Sequence, residues 1–323
     1  MYLGIDIGGT AAKIGLVDGS GGLHATTNVE TDTEISPEGL LQEILSAGWK
    51  LLEGIGCSRD DLEGIGVGCA GLVSTRDGVL VTAPNLSGWE NVPLGGMLAA
   101  ASGVGVYLDN DANAFAYGES CIGAARGKSF GLFLTLGTGV GGGLLLDGEI
   151  YRGCNGFGAE LGHIVLDPDG PVCECGNRGC FESFVCGRAI VKRAAALYNE
   201  AGRTGDLERL GGGDPGAVTP EQLSAAASSG DEAALQAFRD TGRWIGIAVG
   251  GLINVFNPQI VVIGGGVAQA GDSLFEPVRH WAGRFSFSAS FNSAIIAPAS
   301  LGENSGLVGA ALEARDKCGI PCR

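Results

Sequence analysis

Four side chains of types that commonly bind metal ions are concentrated in one part of the sequence, and they constrain its fold more than any other feature. They are His163, Cys173, Cys175 and Cys180. Three thiolates and one imidazole complete a tetrahedral zinc shell with no position left for water, so this pattern predicts a structural zinc ion. The glycines between the last two cysteines let the backbone turn sharply enough to bring both thiolates onto one ion.

Two carboxylates flank these four side chains. Glu160 comes three residues before His163, and Glu182 comes two residues after Cys180. Folding around the ion is expected to hold both acids near the imidazole, which makes a surface suited to a polyhydroxylated ligand. Ordinary thiols are the alternative. However, three of the ten cysteines fall in one short glycine-containing turn, and that density favours metal in a reduced protein.

The composition narrows the class of protein. A chain of 323 residues, 45% apolar and 17% charged, is long enough for two domains with cores of their own. The net charge of −16 disfavours a surface for nucleic acid or anionic membrane. No signal-peptide pattern follows Met1, and the apolar stretches 131–146 and 245–256 are interrupted by glycine or too short to span a bilayer. We therefore expect a cytoplasmic protein.

A pattern of strand, glycine turn and strand occurs twice. The segments are Leu3–Ile7, Gly8-Gly9-Thr10 and Lys13–Val17, then Phe130–Leu136, Gly137-Thr138-Gly139 and Gly141–Leu146. A third glycine cluster, Gly264-Gly265-Gly266, follows a buried strand predicted at Gln259–Ile263. Such turns expose backbone N–H groups to phosphate oxygens, so together they predict a nucleotide. Any one of them alone is also consistent with a simple tight turn.

The remaining elements alternate between strands and helices. Helices are predicted from Ser36-Pro37 to about Glu53, from Thr219-Pro220, over Asp231–Phe256 and over Ser305–Asp316; strands at Gly64–Cys69 and Val104–Leu108; and a surface loop at Arg203–Val218. Together with the repeated turns, these elements predict two related α/β halves that face a shared cleft.

Acidic and amide side chains stand at the strand ends. Asp6 precedes the first glycine turn, where it could hold Mg²⁺ or cap the turn. Asp111 follows an apolar strand and begins a helix, whose dipole favours its ionised form. A carboxylate there can accept the proton of a sugar hydroxyl during phosphoryl transfer, and an ordinary helix N-cap is the alternative. Asn85 and Asn110 could bond to hydroxyls or serve as turn residues.

Six motifs occur in an order typical of one known family. They are Asp6-Ile7-Gly8-Gly9-Thr10, Ala83-Pro84-Asn85-Leu86, Asn110-Asp111-Ala112-Asn113-Ala114, the glycine-rich run 136–143, Glu160-Leu161-Gly162-His163, and Cys-x-Cys-Gly-x-x-Gly-Cys-x-Glu over 173–182. Over essentially its whole length the chain resembles the ROK family of repressors, open reading frames and kinases, and within it the bacterial glucokinases.

The resemblance implies an actin-like ATPase fold, related to ribonuclease H, with two α/β domains, a central cleft and a zinc-binding loop. Residues 1–112 would form the first domain, with a carboxyl-terminal helix of about 305–323 packing back on it. Residues 113–304 would form the second, larger domain, which contains the zinc loop 163–182. A homodimer is also implied.

The implied activity is transfer of the γ-phosphoryl group of ATP to the 6-hydroxyl of glucose, with Mg²⁺ and a structural zinc ion. Asp111 would be the catalytic base. The implied sugar contacts are Asn85, Asn110, Asp111, Glu160, His163 and Glu182. The predicted nucleotide-binding residues are Asp6, Gly8, Gly9, Thr10, Lys13, Gly137, Thr138, Gly139, Gly265 and Gly266. His163 would bind zinc through one nitrogen and the sugar through the other.

The chain departs from the family pattern at two places. Many members carry lysine directly after the first glycine motif, where this chain has Ala11; its lysine, Lys13, comes two residues later and on the same face of the strand. The segment before the zinc histidine has Ala159 where glycine is usual, which predicts a slightly altered turn.

Two alternative functions remain open at this level. One is a kinase for another sugar, such as N-acetylmannosamine, N-acetylglucosamine, fructose or allose, because pocket shape around C2 decides the choice. The other is a sugar-responsive transcriptional regulator, which the acidic charge disfavours. Polyphosphate as the phosphoryl donor is also open, although no basic track for a long polyanion is evident.

Overall fold

The computed structural model describes residues 1–31, 36–83, 86 and 88–318, and the chain forms two compact units. The first unit comprises Met1–Ser129, Gly143–Ala159 and the residues from Ala299 onward. The second comprises Phe130–Gly142 and Glu160–Pro298. Residues 113–129 and 143–159 thus group with the amino-terminal residues, whereas the sequence analysis assigned them to the second domain. The division at residues 112 and 113 stays a prediction.

The elements within these residues alternate as expected for an α/β protein. The strands are β1 (Tyr2–Ile7), β2 (Ala11–Val17), β3 (Leu23–Glu30), β4 (Gly64–Cys69), β5 (Leu72–Ser74), β6 (Val79–Thr82), β7 (Glu90–Val92), β8 (Val106–Asn110), β9 (Gly131–Leu136), β10 (Val140–Leu146), β11 (Glu149–Ile150), β12 (Ile260–Gly264) and β13 (Ile295–Pro298). The helices are α1 (Pro37–Gly54), α2 (Leu94–Ser102), α3 (Asp111–Cys121), α4 (Phe181–Val185), α5 (Gly187–Glu200), α6 (Thr204–Leu210), α7 (Pro220–Ser228), α8 (Glu232–Phe256), α9 (Asp272–Phe285), α10 (Ser288–Ser293) and α11 (Ser305–Lys317).

A five-stranded sheet with strand order β3-β2-β1-β4-β8 forms the centre of the first unit. Strand β1 pairs antiparallel with β2 and parallel with β4. Leu3 and Ile5 of β1 share one hydrophobic core with Leu40 and Ile44 of α1. Because side chains alternate across a strand, Gly4 between them points to the opposite face.

Helix α11 packs on that opposite face because two glycines leave room for its backbone. A Cβ at Gly4 would lie 2.0 Å from the carbonyl oxygen of Leu307, and one at Gly66 would lie 1.7 Å from that of Ala310. Gly4 and Gly66 are paired neighbours in β1 and β4. The helix is buried from Ser305 to Ala314, so it belongs to the interior of this unit.

In the second unit, β12 lies between β9 and β13 and pairs in parallel with both. The longest helix of this unit, α8, packs against α9 through glycines at every fourth position, Gly242, Gly246 and Gly250. A Cβ at any of these three would come within 2.9 Å of an α9 atom. Because residues four apart share one helix face, this spacing lets the two helix backbones approach closely.

Most predicted elements are confirmed, with two corrections. The strand expected at Val104–Leu108 is β8, which begins two residues later and continues to Asn110. The segment Arg203–Val218, expected to be a surface loop, contains α6. Arg203 stabilises this segment because its guanidinium binds Asp206 at 2.8 Å and Asp231 at 2.7 Å.

No helix in the described part of the chain is long and apolar enough to cross a membrane.

Candidate functional site

The predicted base lies where β8 passes into α3. Asp111 is the first residue of α3, and the N-cap is Asn110, whose side chain accepts from the backbone N–H groups of Ala112 at 2.8 Å and Asn113 at 3.3 Å. The alternative that Asp111 is the N-cap is therefore wrong. The amide of Asn110 also donates to the carbonyl of Gly71 at 3.0 Å. Its side chain is fixed by these bonds, and Asp111 does not serve as the cap.

Asp111 lies in a poorly hydrated environment. Burial raises the pKa of its carboxyl, and a hydrogen bond from the backbone N–H of Ala112, at 2.9 Å, partly opposes that rise. A carboxyl whose pKa is raised is a stronger base when it is ionised. The geometry therefore suits proton acceptance at this position.

Asp6 is a second half-buried carboxyl in the same unit. Burial and, to a smaller extent, the negative charge of Asp111 raise its pKa, Lys13, its direct partner across β1 and β2, lowers it, and the net result is a pKa of about 7. A Cβ at Gly306 would lie 2.6 Å from its carboxylate, so the acid contacts the first turn of α11. Two neighbouring carboxyls with raised pKa values form a set of oxygen ligands that a divalent cation can neutralise.

Lys13 is held by an acid of the carboxyl-terminal region. Its ammonium group binds the carboxylate of Glu303 at 2.9 Å and the backbone carbonyl of the same residue at 3.3 Å. One third of the lysine side chain is exposed. A phosphate would therefore have to compete with Glu303 for this cation.

The first glycine turn forms as predicted. The backbone N–H of Gly8 donates to the carbonyl of Ala11 at 3.1 Å, and the carbonyl of Gly8 accepts from the Thr31 hydroxyl at 3.1 Å. Thr10 at the tip is exposed. This geometry defines the turn, and phosphate binding by Gly8, Gly9 and Thr10 stays a prediction.

The four predicted zinc ligands converge in the second unit, where their ligand atoms all lie within 4.8 Å of one another. The Nδ1 atom of His163 lies 3.7 Å from the sulfur of Cys173, and the sulfurs of Cys175 and Cys180 lie 3.6 Å apart. Zinc bonds of about 2.1 Å to nitrogen and about 2.3 Å to sulfur separate tetrahedral ligand atoms by roughly 3.6–3.8 Å. The residues therefore fit tetrahedral zinc, with Nδ1 as the nitrogen of His163 nearest Cys173.

The backbone of this loop turns at the two glycines singled out in the sequence. Gly176 and Gly179 have φ angles of 89° and 67°, a region that favours glycine. Burial raises the pKa of the Cys173 thiol to about 12 and also raises that of Cys180. A bound cation reverses such shifts because it stabilises the thiolates.

Glu182 joins the metal loop to the second glycine turn. One carboxylate oxygen accepts from the backbone N–H of Val140 at 2.8 Å, and the other lies 3.6 Å from the sulfur of Cys173. A Cβ at position 139 would come within 2.6 Å of the first oxygen, so glycine is required at Gly139 for this contact. The structure thus brings a predicted sugar ligand and a predicted phosphate-binding turn together.

Glu160 and His163 lie on a short 3-10 turn in which the backbone N–H of His163 donates to the carbonyl of Glu160 at 3.1 Å. Glu160 is exposed and His163 is half-buried. Ala159, just before this turn, has a φ of 66°, the conformation that the usual glycine adopts easily. The departure from the family pattern at this position therefore introduces local backbone strain.

A pocket of about 740 Å³ opens beside the second glycine turn. Gly137, Thr138 and Gly266 line it, and these residues follow the neighbouring parallel strands β9 and β12. A Cβ at Gly265 would lie 2.3 Å from the carbonyl oxygen of Leu136, so this glycine lets the two strand ends approach. Open parallel sheets bind ligands at the carboxyl ends of their strands, which favours this pocket for a nucleotide.

Many residues that line this pocket were not predicted as site residues, and Gly187, Lys192 and Glu221 are among them. The first two belong to α5, which was not predicted. The Thr219-Pro220-Glu221 signal for a helix start was recognised, but nothing in it indicated a pocket. Asn85, the remaining predicted sugar contact, lies outside the described residues.

Comparison with known proteins gives consistent matches over the whole chain. The sequence model described as the ROK family matches residues 2–317. A glucokinase of Streptomyces coelicolor is 36% identical over 98% of both chains, and one of Thermotoga maritima is 35% identical over 98% of both. The crystal structure of a ROK family glucokinase from Streptomyces griseus, in complex with glucose and AMPPNP, has a TM-score of 0.87 and 36% identity, covering 98% of this chain and 99% of that one. These matches confirm the predicted α/β, actin-like fold class.

Proposed function

Because this chain belongs to the ROK family, we propose that it is an ATP-dependent glucokinase, an enzyme that converts ATP and D-glucose to ADP and glucose 6-phosphate. The observation that carries the proposal is the half-buried carboxyl of Asp111, with its raised pKa, at the residue where the family motif has its base. Full-length similarity to glucokinases, one of which was solved with glucose and AMPPNP, supports the choice of substrates.

In the proposed reaction, the oxygen of the 6-hydroxyl attacks the γ-phosphorus of ATP. The bond from that phosphorus to the bridging oxygen breaks, ADP leaves, and Asp111 accepts the hydroxyl proton. Asn85, Asn110, Glu160, His163 and Glu182 would orient the sugar hydroxyls. Orientation matters because a near-attack geometry removes much of the entropic barrier.

The nucleotide would lie against the glycine turns. Gly8, Gly9 and Thr10 in the first unit, and Gly137, Thr138, Gly139, Gly265 and Gly266 in the second, offer small residues and N–H donors to it. When the nucleotide binds, the ammonium group of Lys13 would leave the carboxylate of Glu303 and bind a phosphate instead. The pocket beside β9 and β12 supports the assignment of the glycine turns in the second unit, because Gly137, Thr138 and Gly266 line it.

Two metal ions complete the proposal. Asp6 would hold Mg²⁺, which when bound neutralises charge on the phosphates. His163, Cys173, Cys175 and Cys180 would hold a structural zinc ion, which supplies no reactive group because its shell is closed. Zinc on Nδ1 of His163 would leave Nε2 for the sugar.

The decisive experiment compares hexoses and phosphoryl donors. We expect the highest kcat/KM with glucose and ATP-Mg among glucose, mannose, fructose, allose, N-acetylmannosamine and N-acetylglucosamine. A higher kcat/KM for another sugar would identify the protein as a kinase for that sugar. Absence of phosphorylation with every sugar would exclude a sugar kinase. The same assay with polyphosphate in place of ATP tests the choice of phosphoryl donor.

Light scattering tests the proposed homodimer. A homodimer predicts a mass equal to that of two chains.

A further inference from the structure

A buried cluster of charges includes Asp109, two residues before the proposed base. The guanidinium of Arg152 binds Asp109 at 2.6 Å and Glu313 at 2.6 Å. The side chains of Asp109 and Glu313 are 1% and 0% exposed, and that of Arg152 is 18% exposed. Removing one partner of such a buried pair leaves an uncompensated charge, so the three side chains constrain one another strongly.

Asp109 connects this cluster to the turn that carries the base. Its Oδ1 accepts from the backbone N–H of Asn110 at 2.7 Å and from the side-chain amide of Asn113 at 2.9 Å. Its Oδ2 receives the Nε–H of Arg152. Because these bonds hold both sides of Asp111, any shift of Asp109 is passed to the base and to its capping asparagine.

Arg152 is connected to a second predicted sugar-binding segment through its backbone. Its carbonyl accepts from the N–H of Gly158 at 2.9 Å, two residues before Glu160. A Cβ at Gly158 would lie 2.8 Å from the carbonyl carbon of Arg152, so the chain closes tightly on itself here. One residue thus anchors the segment that ends just before Glu160.

Glu313 extends the cluster to α11, the helix whose Gly306 contacts Asp6. One oxygen of Glu313 accepts from Arg152, and the other has no hydrogen-bond partner among the described residues. Burial, together with the negative charge of Asp109, raises the pKa of Glu313 well above its usual value. When Glu313 carries a proton, the ion pair of Arg152 and Asp109 is balanced.

We infer that Arg152 is a positioning residue for phosphoryl transfer. Its side chain, acting through Asp109, fixes the turn Asn110–Asp111, and its backbone carbonyl fixes the segment leading to Glu160. This inference rests on the proposed function, since it assigns a role within that same reaction. Arg152 does not touch the substrates; it sets the positions of groups that do.

The test compares Arg152→Met and Arg152→Lys with the wild type, using the sugar that the wild type phosphorylates fastest. We expect Arg152→Met to lower kcat/KM for the sugar about 100-fold, since a misplacement of about 1 Å can have an effect of that size, with KM for ATP changed less than about twofold. Arg152→Lys keeps the positive charge but cannot contact Asp109 and Glu313 at the same time, as a guanidinium does. It should therefore show a smaller loss than Arg152→Met. Calorimetric titration with the sugar alone should show weaker binding in the same order.

Two further variants separate positioning from folding. Arg152→Met/Asp109→Asn removes both charges, so it should fold and still show the sugar defect. Arg315→Met breaks a half-buried ion pair with Asp316 elsewhere on α11, and it should lower Tm without changing KM for the sugar. Arg152 variants that lower Tm but keep the wild-type kcat and sugar KM would overturn the inference alone. A wild-type protein that phosphorylates no sugar would overturn the proposed function as well.

Discussion

The two regions that carry the proposed site are held in place by different forces. In the first unit, Asp111 stands at the junction of a strand and a helix, and buried hydrogen bonds and ion pairs fix that junction. In the second unit, residues 163–180 contain no regular strand or α-helix, and they close around four ligand atoms that fit one zinc ion. Packing organises the first region, and metal coordination would organise the second.

The difference predicts different kinds of failure. Regular elements lose function through single substitutions that misplace or neutralise a group, while the fold survives. A loop whose closure depends on an ion loses its whole arrangement when that ion is removed, because binding energy and local folding energy are the same quantity. Variants at Asp111, Cys175, Asp6 and the Lys13–Glu303 ion pair test this contrast.

The largest effect is expected for the first region. Asp111→Asn removes the proton acceptor, so kcat should fall roughly 10²–10⁴-fold. Tm should not fall, because burial disfavours the charge that is removed. Steady-state kinetics and thermal unfolding measure both, with the exposed Asp60→Asn as the control. Near-normal turnover would refute the assignment of the base.

The second region should fail through its metal. Cys175→Ser, or treatment with a chelator, should release zinc, lower Tm and raise KM for the sugar about 10–100-fold, because His163 loses the support of its ligand bond. Metal analysis and sugar titration measure these effects. Cys154→Ser, a change of an exposed thiol outside the cluster, should leave both unchanged. A variant without zinc that keeps the normal sugar KM would contradict the contrast between the regions.

A smaller effect is expected on the pH dependence of stability. In the ligand-free protein the pKa of Asp6 is raised from 3.8 to about 7, so the folded chain keeps a proton that the unfolded chain releases. Stability is therefore lost as pH rises from about 4 to about 7. Asp6→Asn removes this loss. The variant should therefore be more stable relative to wild type at pH 8 than at pH 5, measured as the difference in the free energy of unfolding.

Denaturant unfolding without Mg²⁺ at the two pH values checks this sign. Asp61→Asn serves as the control, because hydrogen bonds from Ser58 lower the pKa of Asp61 and its titration lies below both values. The opposite slope for Asp6→Asn would show that the site holds an ionised carboxylate.

The smallest effect concerns Lys13. Lys13→Ala should raise KM for ATP several-fold and leave the sugar KM unchanged. Its effect on stability should stay within about 1 kcal/mol, because Glu303 is largely exposed and exposed ion pairs contribute little. Glu303→Gln frees the lysine and should lower KM for ATP instead. An unchanged KM for ATP in both variants would exclude Lys13 from the nucleotide site.

Local patterns in the sequence predicted those parts of the site that depend on neighbouring residues. Ser36-Pro37 correctly marked the start of α1, and Asp231 correctly marked the start of α8, because capping is a property of a few adjacent residues. The local sequence could not decide whether Asn110 or Asp111 is the N-cap of α3. Both are good capping residues, and the N-cap in the fold is Asn110, whose amide also donates to the carbonyl of Gly71.

Contacts between distant parts of the chain account for what the sequence analysis missed. Helix α5 and the pocket beside Gly137 were not predicted, since a pocket wall depends on which elements pack side by side. The Arg152 cluster has the same origin: its partners lie 43 and 161 residues away along the chain. No local pattern distinguishes such an arginine from a surface one.

The amino-acid sequence by itself determined which four residues could ligate one metal ion, the glycine turns and the order of strands and helices, because each depends on side chains close together in the chain. The tertiary structure alone decided that Arg152, Asp109 and Glu313 share one buried cluster and that α11 lies against Asp6. Burial and its electrostatic consequences arise only when remote segments exclude water from one another, which is why the raised pKa values of Asp6 and Asp111 belong to the fold and not to the sequence pattern.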